Sequence, residues 1–298
     1  SCIHHERAAV ARTSANVQFE DALASTPLGR QVLNVVRSVT AAATATRDWH
    51  YLKDHVQTGE DVELVDMTTA YATLGVMGPK SRELLQRITD ADLSNEGFPF
   101  GATKHIEVGN AKVRATRISY VGELGWELYI PAEFARGVLH AVLDAGADLG
   151  VRPAGMHAMD ACRIEKAFRH WGHDIGIKDT ILEAGLGFTC AFDKKVPFIG
   201  RDAVLKQKEG KLGRRMVQFK LTDPTKLLYH NEPIYRNGAL VGLVTSANYG
   251  HHLGGAMRGA TQSVAAPPVL GTVTVHHLIG LGDRPEALSA SLAATVGW

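Results

Sequence analysis

The chain has 298 residues, enough for two or three domains and for a substantial core that needs no disulfides. Its 32 Lys and Arg nearly cancel its 31 Asp and Glu, leaving a net charge of +1, so no overall field draws nucleic acid or an acidic membrane surface, although a local basic pocket for a small anion is still open. Three scattered cysteines, Cys2, Cys162 and Cys190, give no metal or disulfide framework, and no run reaches the roughly 20 apolar residues that span a bilayer, so a soluble protein of a reducing compartment is expected.

The first residues, Ser1 to Arg7, are too polar for a secretory signal and include an acid, unlike a transit peptide. They also lack a Met, as a processed or fragmentary start would. RDWHYLKDHV (47–56) places Trp49, Leu52 and Val56 at helical spacing, and DVELVDM (61–67) alternates as a strand does. YATLGVMG (71–78) reads as a mostly buried strand, and Pro79 then opens a helix whose buried stripe is Leu84, Leu85 and Ile88. KHIEVG, KVRATRISYVG and LGWELYIP (104–131) are three strand candidates, the first two joined by a Gly109-Asn110 hairpin turn. Two helices should follow, over 132–150 and over 153–171, the second opened by Pro153. Short antiparallel groups of strands interrupted by helices mean an α+β fold and not a doubly wound sheet. From Arg214 short strands with an Asn237-Gly238 turn predict a small β-barrel or sandwich, after a solvated linker at 206–213. The last forty or so residues show little patterning.

The segment RISYVGELGWELYI (117–130) carries the most chemistry. Gly122 and Gly125 permit a tight bulged turn that exposes Glu123. Such a carboxylate either caps a solvated hairpin or accepts two parallel N–H bonds from a flat heterocycle edge, as it would from an arginine fork. The segment resembles the tyrosine-x-glycine-glutamate-x-glycine signature of the glycine-cleavage T-protein, or aminomethyltransferase, superfamily. The resemblance implies that tetrahydrofolate is the cofactor, with Tyr120 and Glu123 as contacts to its pterin and Glu127 as a further candidate.

A second block, DACRIEKAFRHWGHDIGIKDTILEAGLGF (160–188), is similar to the family's arginine-x-glutamate helix and glycine-histidine-aspartate turn, in the version found in dimethylglycine and sarcosine dehydrogenases. By that likeness Arg163 helps hold the folate and Trp171 packs on its flat part. Without the family, His170, His173 and Asp174 would offer a weak metal pattern lacking a further strong ligand, and no metal is assigned. Organising the turn through side-chain to backbone bonds is the reading preferred for His173 and Asp174. A third block, NEPIYRNGALVGLVTSANYGHHLGGA (231–256), is similar to the opening of the family's C-terminal barrel, and LVDMTTAYATLGVMGPKSRELL (64–85) is a weaker fourth.

The pattern breaks at both ends. ERAAVAR (6–12) looks like the family's early helix, yet the stretch carrying its catalytic aspartate has no counterpart; Asp21 lies in no matching context, so the catalytic residue is unassigned. After Ala256 the barrel pattern stops, and Pro267 and Pro268 would break a central strand. Altered reading frames at the gene level would produce such breaks. No G-x-G-x-x-G flavin or nicotinamide fingerprint follows a strand.

The expected organisation is a divergent N-terminal part (1–60), a T-protein-like folate-binding α+β domain of antiparallel sheets with helices (61–213), an incomplete small β-barrel (214–257) with aggregation-prone edges, and a divergent tail (258–298). The expected function is tetrahydrofolate-dependent one-carbon transfer in glycine, sarcosine or dimethylglycine breakdown. Its partners would be folate, a methylated amine or formaldehyde, and a flavin dehydrogenase, with no nucleic acid and no membrane. The compartment would be the cytoplasm of a bacterium or the mitochondrial matrix of a eukaryote. A non-enzymatic regulator resembling the pyruvate dehydrogenase phosphatase regulatory subunit is the competing class. A folate-dependent iron–sulfur assembly factor is set aside, since no lysine-glycine-cysteine motif occurs.

Overall fold

The computed structural model describes residues 39, 44–60, 62–195, 198–221, 223, 225–226, 228–263, 272–276 and 287–291. The expected early helix at 6–12, Asp21, Pro267 and Pro268 lie outside them. Two compact units divide the described chain: one takes the residues up to Ser119 together with Glu123–Arg152, the other Tyr120–Gly122 together with the residues from Pro153 onward.

The first unit begins with helix α1 (Ala45–Asp54), where a buried Asp48 accepts from Thr44 Oγ1 at 2.8 Å and pairs with Arg47 at 2.6 Å. The strand expected at 61–67 does not form: residues 62–67 are irregular, and Val62, Val65 and Met67 are at least half exposed. Alternation makes a strand only where a sheet edge accepts it. Strand β1 (Tyr71–Met77) leads into helix α2 (Ser81–Gln86), and β2 (Thr103–Val108), β3 (Ala111–Thr116) and β4 (Gly125–Pro131) complete an antiparallel sheet of order β1-β4-β3-β2. Gly109, at φ +58°, is the first of two residues joining Val108 to Ala111, as a type II′ hairpin requires.

Helix α3 (Ala135–Ala145) covers one face of this sheet with Val138 and Val142. Leu85, Leu93, Phe98, Trp126, Leu128 and Ile130 fill the core between them, with Phe98 set edge-on to Trp126 at 6.2 Å. Glu127 and Tyr129 alternate onto the other face. β3 stops at Thr116 and not at Gly122 as expected; residues 117–124 leave the sheet as a loop fixed at both ends. Arg117 N bonds Ala102 O at 3.0 Å, and Leu124 O accepts from Gly78 N at 2.8 Å and Ser81 Oγ at 2.9 Å.

In the second unit, helix α4 (Met156–Glu165) precedes a run of turns, helix α5 (Arg201–Glu209) and strands β5 (Arg214–Lys220), β6 (Pro233–Arg236), β7 (Ala239–Gly250), β8 (Gly255–Ser263), β9 (Thr272–His276) and β10 (Ala287–Ser291). The front of the expected linker, 206–209, is therefore the last turn of a helix. Asn237 and Gly238, at φ +52° and +80°, form the type I′ turn between β6 and β7 that the Asn-Gly pair predicts. The strand order β10-β9-β6-β7-β8-β5 leaves β5 and β10 as edges, an unclosed barrel. β9 carries a Thr-Val-Thr-Val alternation that the bland composition of the tail conceals.

Trp126 is fully buried, whereas Tyr71, on an edge strand of the same sheet, is 44% exposed. Replacing Trp126 with Ala is expected to cost about 3–5 kcal/mol, and Tyr71 with Ala about 0.5 kcal/mol or less, as read by urea unfolding. Similar shifts for both would show that the core is not centred on Trp126.

Candidate functional site

Helix α4 ends six residues before the sequence pattern predicts. Ala167 turns left-handed at φ +58°, Phe168 N bonds Arg163 O at 3.0 Å, and Ala167 N bonds Ile164 O at 3.1 Å. These are the two bonds of a Schellman cap, built here on an alanine where glycine is the easier residue. The cap sends the chain back so that Phe168 stacks on Tyr120 with ring centres 6.2 Å apart, and Tyr120 Oη donates to Arg169 O at 2.9 Å. Burial raises the Tyr120 phenol above its ordinary pKa, partly opposed by the charge of Arg163. It is a neutral donor at physiological pH.

Arg163, 2% exposed, engages all three guanidinium nitrogens. Nε donates to Asp160 Oδ1 at 2.7 Å, Nη1 to Phe168 O at 3.1 Å and to Asp174 Oδ2, and Nη2 to Ser246 Oγ at 2.9 Å. Nη2 also lies 2.6 Å from Asp160 Oδ1. Asp174 in turn accepts from His170 N at 2.9 Å and from Thr245 Oγ1 at 2.7 Å. Burial alone would raise its pKa, but the bonds from Thr245 and His170 and the charge of Arg163 hold it below the ordinary carboxylate value. Arg163 is correspondingly raised: burial pulls it down, and Asp174 and Asp160 outweigh that.

This network joins α4, the 168–175 turn and β7 within one unit. Asn248 and Gln218 add bonds to Asp160 and to Ile164 O, and His252 bonds Glu165 at 2.8 Å through its backbone. A cavity of about 30 Å³ lies behind Arg163, bounded by Ile164, Ala167, Phe168 and Met216; it suits ordered water and not a heterocycle.

The residues singled out from sequence therefore fall into two groups. Tyr120, Arg163 and Trp171 belong to the second unit, where Trp171, half-buried, bridges to Ile175 beside the Gly172 turn. Glu123 and Glu127 belong to the first. Glu127 accepts from Tyr129 Oη at 2.6 Å, and Arg114 lies over the Tyr129 ring at 4.9 Å. Glu123 is half-buried on the 117–124 loop, and no other described residue hydrogen-bonds or pairs with its carboxylate. His170, His173 and His230 stack in sequence, with centroids 4.6 and 5.7 Å apart. Burial, with the charges of His173 and Arg163, lowers the His170 pKa. Asp174, which the sequence spacing offered as a metal ligand, has both oxygens engaged, and among the described residues no group of three potential ligands has metal-site geometry.

Asp160, Thr245, Ser246 and Arg169 escaped the sequence reading. Asp160 was accessible to it, because an acid three residues before an arginine on a helix faces it. Thr245 and Ser246 meet their partners across 71 and 83 residues, a distance over which no local pattern operates.

Removing Asp174 would strand a buried guanidinium that keeps only Asp160 as a counter-charge. Asp174→Asn is expected to destabilise by about 3 kcal/mol, the low end for breaking a buried ion pair. Because the folded-state pKa of Asp174 is depressed, its stabilisation is full above the unfolded value of about 3.9 and disappears as pH falls through the folded value. Urea midpoints of the parent and Asp174→Asn should thus differ by a constant amount between about pH 5 and 7 and converge below about pH 4. A gap independent of pH down to 3 would contradict the ion-pair assignment.

Residues 32–194 match the family model described as the GCVT N-terminal domain, and residues 214–260 match the glycine cleavage T-protein C-terminal barrel domain. Over 219 residues the chain is 45% identical to the 4-methylaminobutanoate oxidase (formaldehyde-forming) of Paenarthrobacter nicotinovorans, covering 74% of this chain and 26% of that protein. Over 209 residues it is 42% identical to the mitochondrial sarcosine dehydrogenase of Homo sapiens, covering 70% and 23%. It spans about a quarter of the length of these two relatives. The aminomethyltransferase T of the Bartonella henselae glycine cleavage system superposes with a TM-score of 0.70 at 24% identity, over 85% of this chain and 66% of that one, a likeness of fold. Together with the α+β body and the unclosed C-terminal barrel, these matches establish that the chain belongs to the glycine cleavage T-protein family.

Proposed function

We propose that this chain binds tetrahydrofolate and serves as the one-carbon-accepting part of a protein that oxidises a methylated amine. The observation that carries the reading is the Glu123 carboxylate. Asp160, Asp174, Glu165 and Glu183 each have hydrogen-bonded partners in the structure, and Glu123 has none among the described residues. A half-buried acceptor on an anchored loop fits the paired N–H edge of a pterin.

In this reading Glu123 accepts that edge, and Glu127, with one oxygen on Tyr129, retains another for the ligand. Tyr120 and Trp171, in the other unit, are proposed as aromatic contacts on the ground of the family resemblance. Arg163, whose nitrogens are already engaged, acts by positioning Phe168 and the turn that carries Trp171. Tetrahydrofolate supplies the nucleophilic nitrogens that take up the one-carbon unit. The protein's own contribution is to hold donor and acceptor at contact distance and to exclude water. Two relatives are named for formaldehyde formation and for sarcosine dehydrogenation, which supports a one-carbon unit released by oxidation of an N-methyl amine, on the remainder of a longer protein or on a partner flavin dehydrogenase. No residue is assigned the role of the family's catalytic aspartate, so binding without rapid transfer is proposed for the chain alone.

Calorimetric titration with tetrahydrofolate tests this. The parent chain should bind, and Glu123→Ala should bind roughly tenfold to hundredfold more weakly, the value of about 1.5–3 kcal/mol for hydrogen bonds to a charged group. Formation of methylenetetrahydrofolate from formaldehyde should be slow or undetectable above the uncatalysed rate. Equal affinities would remove Glu123 from the site, and rapid transfer would show that another residue replaces the aspartate.

A further inference from the structure

Within the first unit two positive charges are brought together without a counter-charge. Arg82 on α2 and Arg117, just after β3, reach the same oxygen: Asn95 Oδ1 accepts from Arg82 Nη2 at 2.7 Å and from Arg117 Nη2 at 2.8 Å. Asn95 sits on a tight turn in which Phe98 N bonds Ser94 O and Gly97 N bonds Ser94 Oγ, each at 2.9 Å. The two guanidinium carbons lie 6.0 and 5.8 Å from the ring centroid of Trp126, which is fully buried, so both cations are packed against the core. Phe98 O fixes Arg117 further, accepting from Nη1 at 2.8 Å.

Like charges separated by a single neutral oxygen repel one another. An aspartate at position 95 would give each guanidinium a charge-assisted bond, whereas the amide gives an acceptor and leaves both charges unbalanced. The neighbouring acids do not supply what is missing. Glu83 pairs with Arg87, Asp92 accepts from Ser94 N, and among the described residues no carboxylate forms an ion pair with Arg82 or Arg117. Arg82 has Asn95 as its one acceptor among those residues, and its Nε is buried without a hydrogen-bond partner. Donors of both forks are therefore left over. Asn95 is exposed and both arginines are partly so, which leaves the pair open to a small solute.

We propose that Arg82 and Arg117 form a binding site for a phosphate dianion, either free phosphate or the monoester of a small metabolite, with Asn95 holding the two guanidiniums at bridging distance. Charge matching favours phosphate over a carboxylate: two fixed positive charges meet a group that carries nearly two negative ones, and planar forks suit its several acceptor oxygens. The site is independent of the folate reading, because none of its residues is a proposed folate contact.

Binding of inorganic phosphate, glycerol phosphate and acetate to the 298-residue chain is measured by calorimetry at constant ionic strength and about pH 7.5, where phosphate monoesters are dianions. The parent should bind both phosphates with a Kd on the order of 1 mM and acetate roughly tenfold more weakly. Arg82→Gln should bind phosphate roughly tenfold more weakly than the parent, as expected for loss of a bond to a charged group. Asn95→Asp places a carboxylate between the guanidiniums; it should lose phosphate binding and, with no phosphate present, unfold at a higher urea concentration than the parent. Phosphate stabilises proteins in general by exclusion from their surface, so the reading is the rise in the parent's urea midpoint beyond that of Asn95→Asp. Parent affinity for glycerol phosphate should fall below about pH 6, as the dianion takes up a proton. Tighter binding of inorganic phosphate or of the monoester identifies the source, and either supports the site. Absence of phosphate binding by the parent, undiminished binding by Asn95→Asp, or acetate bound as tightly as phosphate would overturn the inference.

Discussion

Arg163 and Asp174 face each other with 2% of either side chain exposed, and the second unit is arranged around the need to satisfy them. Desolvating two charges costs several kcal/mol apiece, and their attraction compensates only when the remaining donors and acceptors are met as well. They are met from three directions: Asp160 on α4, His170 N and Phe168 O on the returning turn, and Thr245 and Ser246 on β7. A well-packed apolar cluster could hold the same elements together at equal or lower cost. What the ion pair adds is direction, because a guanidinium fork fixes the angle and register of each partner as hydrocarbon contacts do not. Among the described residues the hydrophobic cluster of this unit is small, with Phe219, Leu221, Leu228, Ile234 and Val244 buried, and polar bonds fix the orientation of the elements around it.

The same logic reaches the signature loop through backbone geometry. Ala167 adopts a left-handed conformation that costs an L-residue roughly 1–2 kcal/mol, and the Schellman bonds to Arg163 O and Ile164 O offset it. With the helix stopped at that point, Lys166 falls across Gly122, Phe168 meets Tyr120, and Arg169 O receives the Tyr120 hydroxyl. One helix cap therefore fixes three contacts to the loop, and Arg163 holds the cap in place through Phe168 O. Regularising α4 past residue 167 would break all three at once.

Local chemistry explains which features were legible in the sequence. Gly109-Asn110 and Asn237-Gly238 were readable because a positive φ needs particular residues at particular turn positions. The buried Leu84 and Leu85 of α2 were readable because they follow the helical period on one face. The 61–67 segment misled because alternation records a tendency and no edge strand received it. The over-extension of α4 has the opposite origin: apolar and helix-favouring residues continue past Glu165, and the stop depends on Ala167, a residue whose identity signals nothing. The motif blocks marked Tyr120, Glu123, Arg163 and Trp171 as candidates from local sequence, whereas the engagement of Arg163 with Ser246 and the resting of Lys166 on Gly122 arise only when segments far apart in sequence are folded together.

The distribution of satisfied and unsatisfied charge separates framework from function. Around Arg163 every ionic group is matched, the pattern of a structural network whose disruption should appear first in stability. Along the 117–124 loop and its surroundings the balance differs: Glu123 and Lys166 lack ionic partners among the described residues, and Arg169 lacks a carboxylate. The loop backbone next to Glu123 is anchored through the Leu124 carbonyl, the Lys166 stem lies against Gly122, and Arg169 bonds the Ala184 carbonyl. Side chains that are positioned but not neutralised lose little conformational freedom when a ligand arrives, so most of the interaction energy is available for binding.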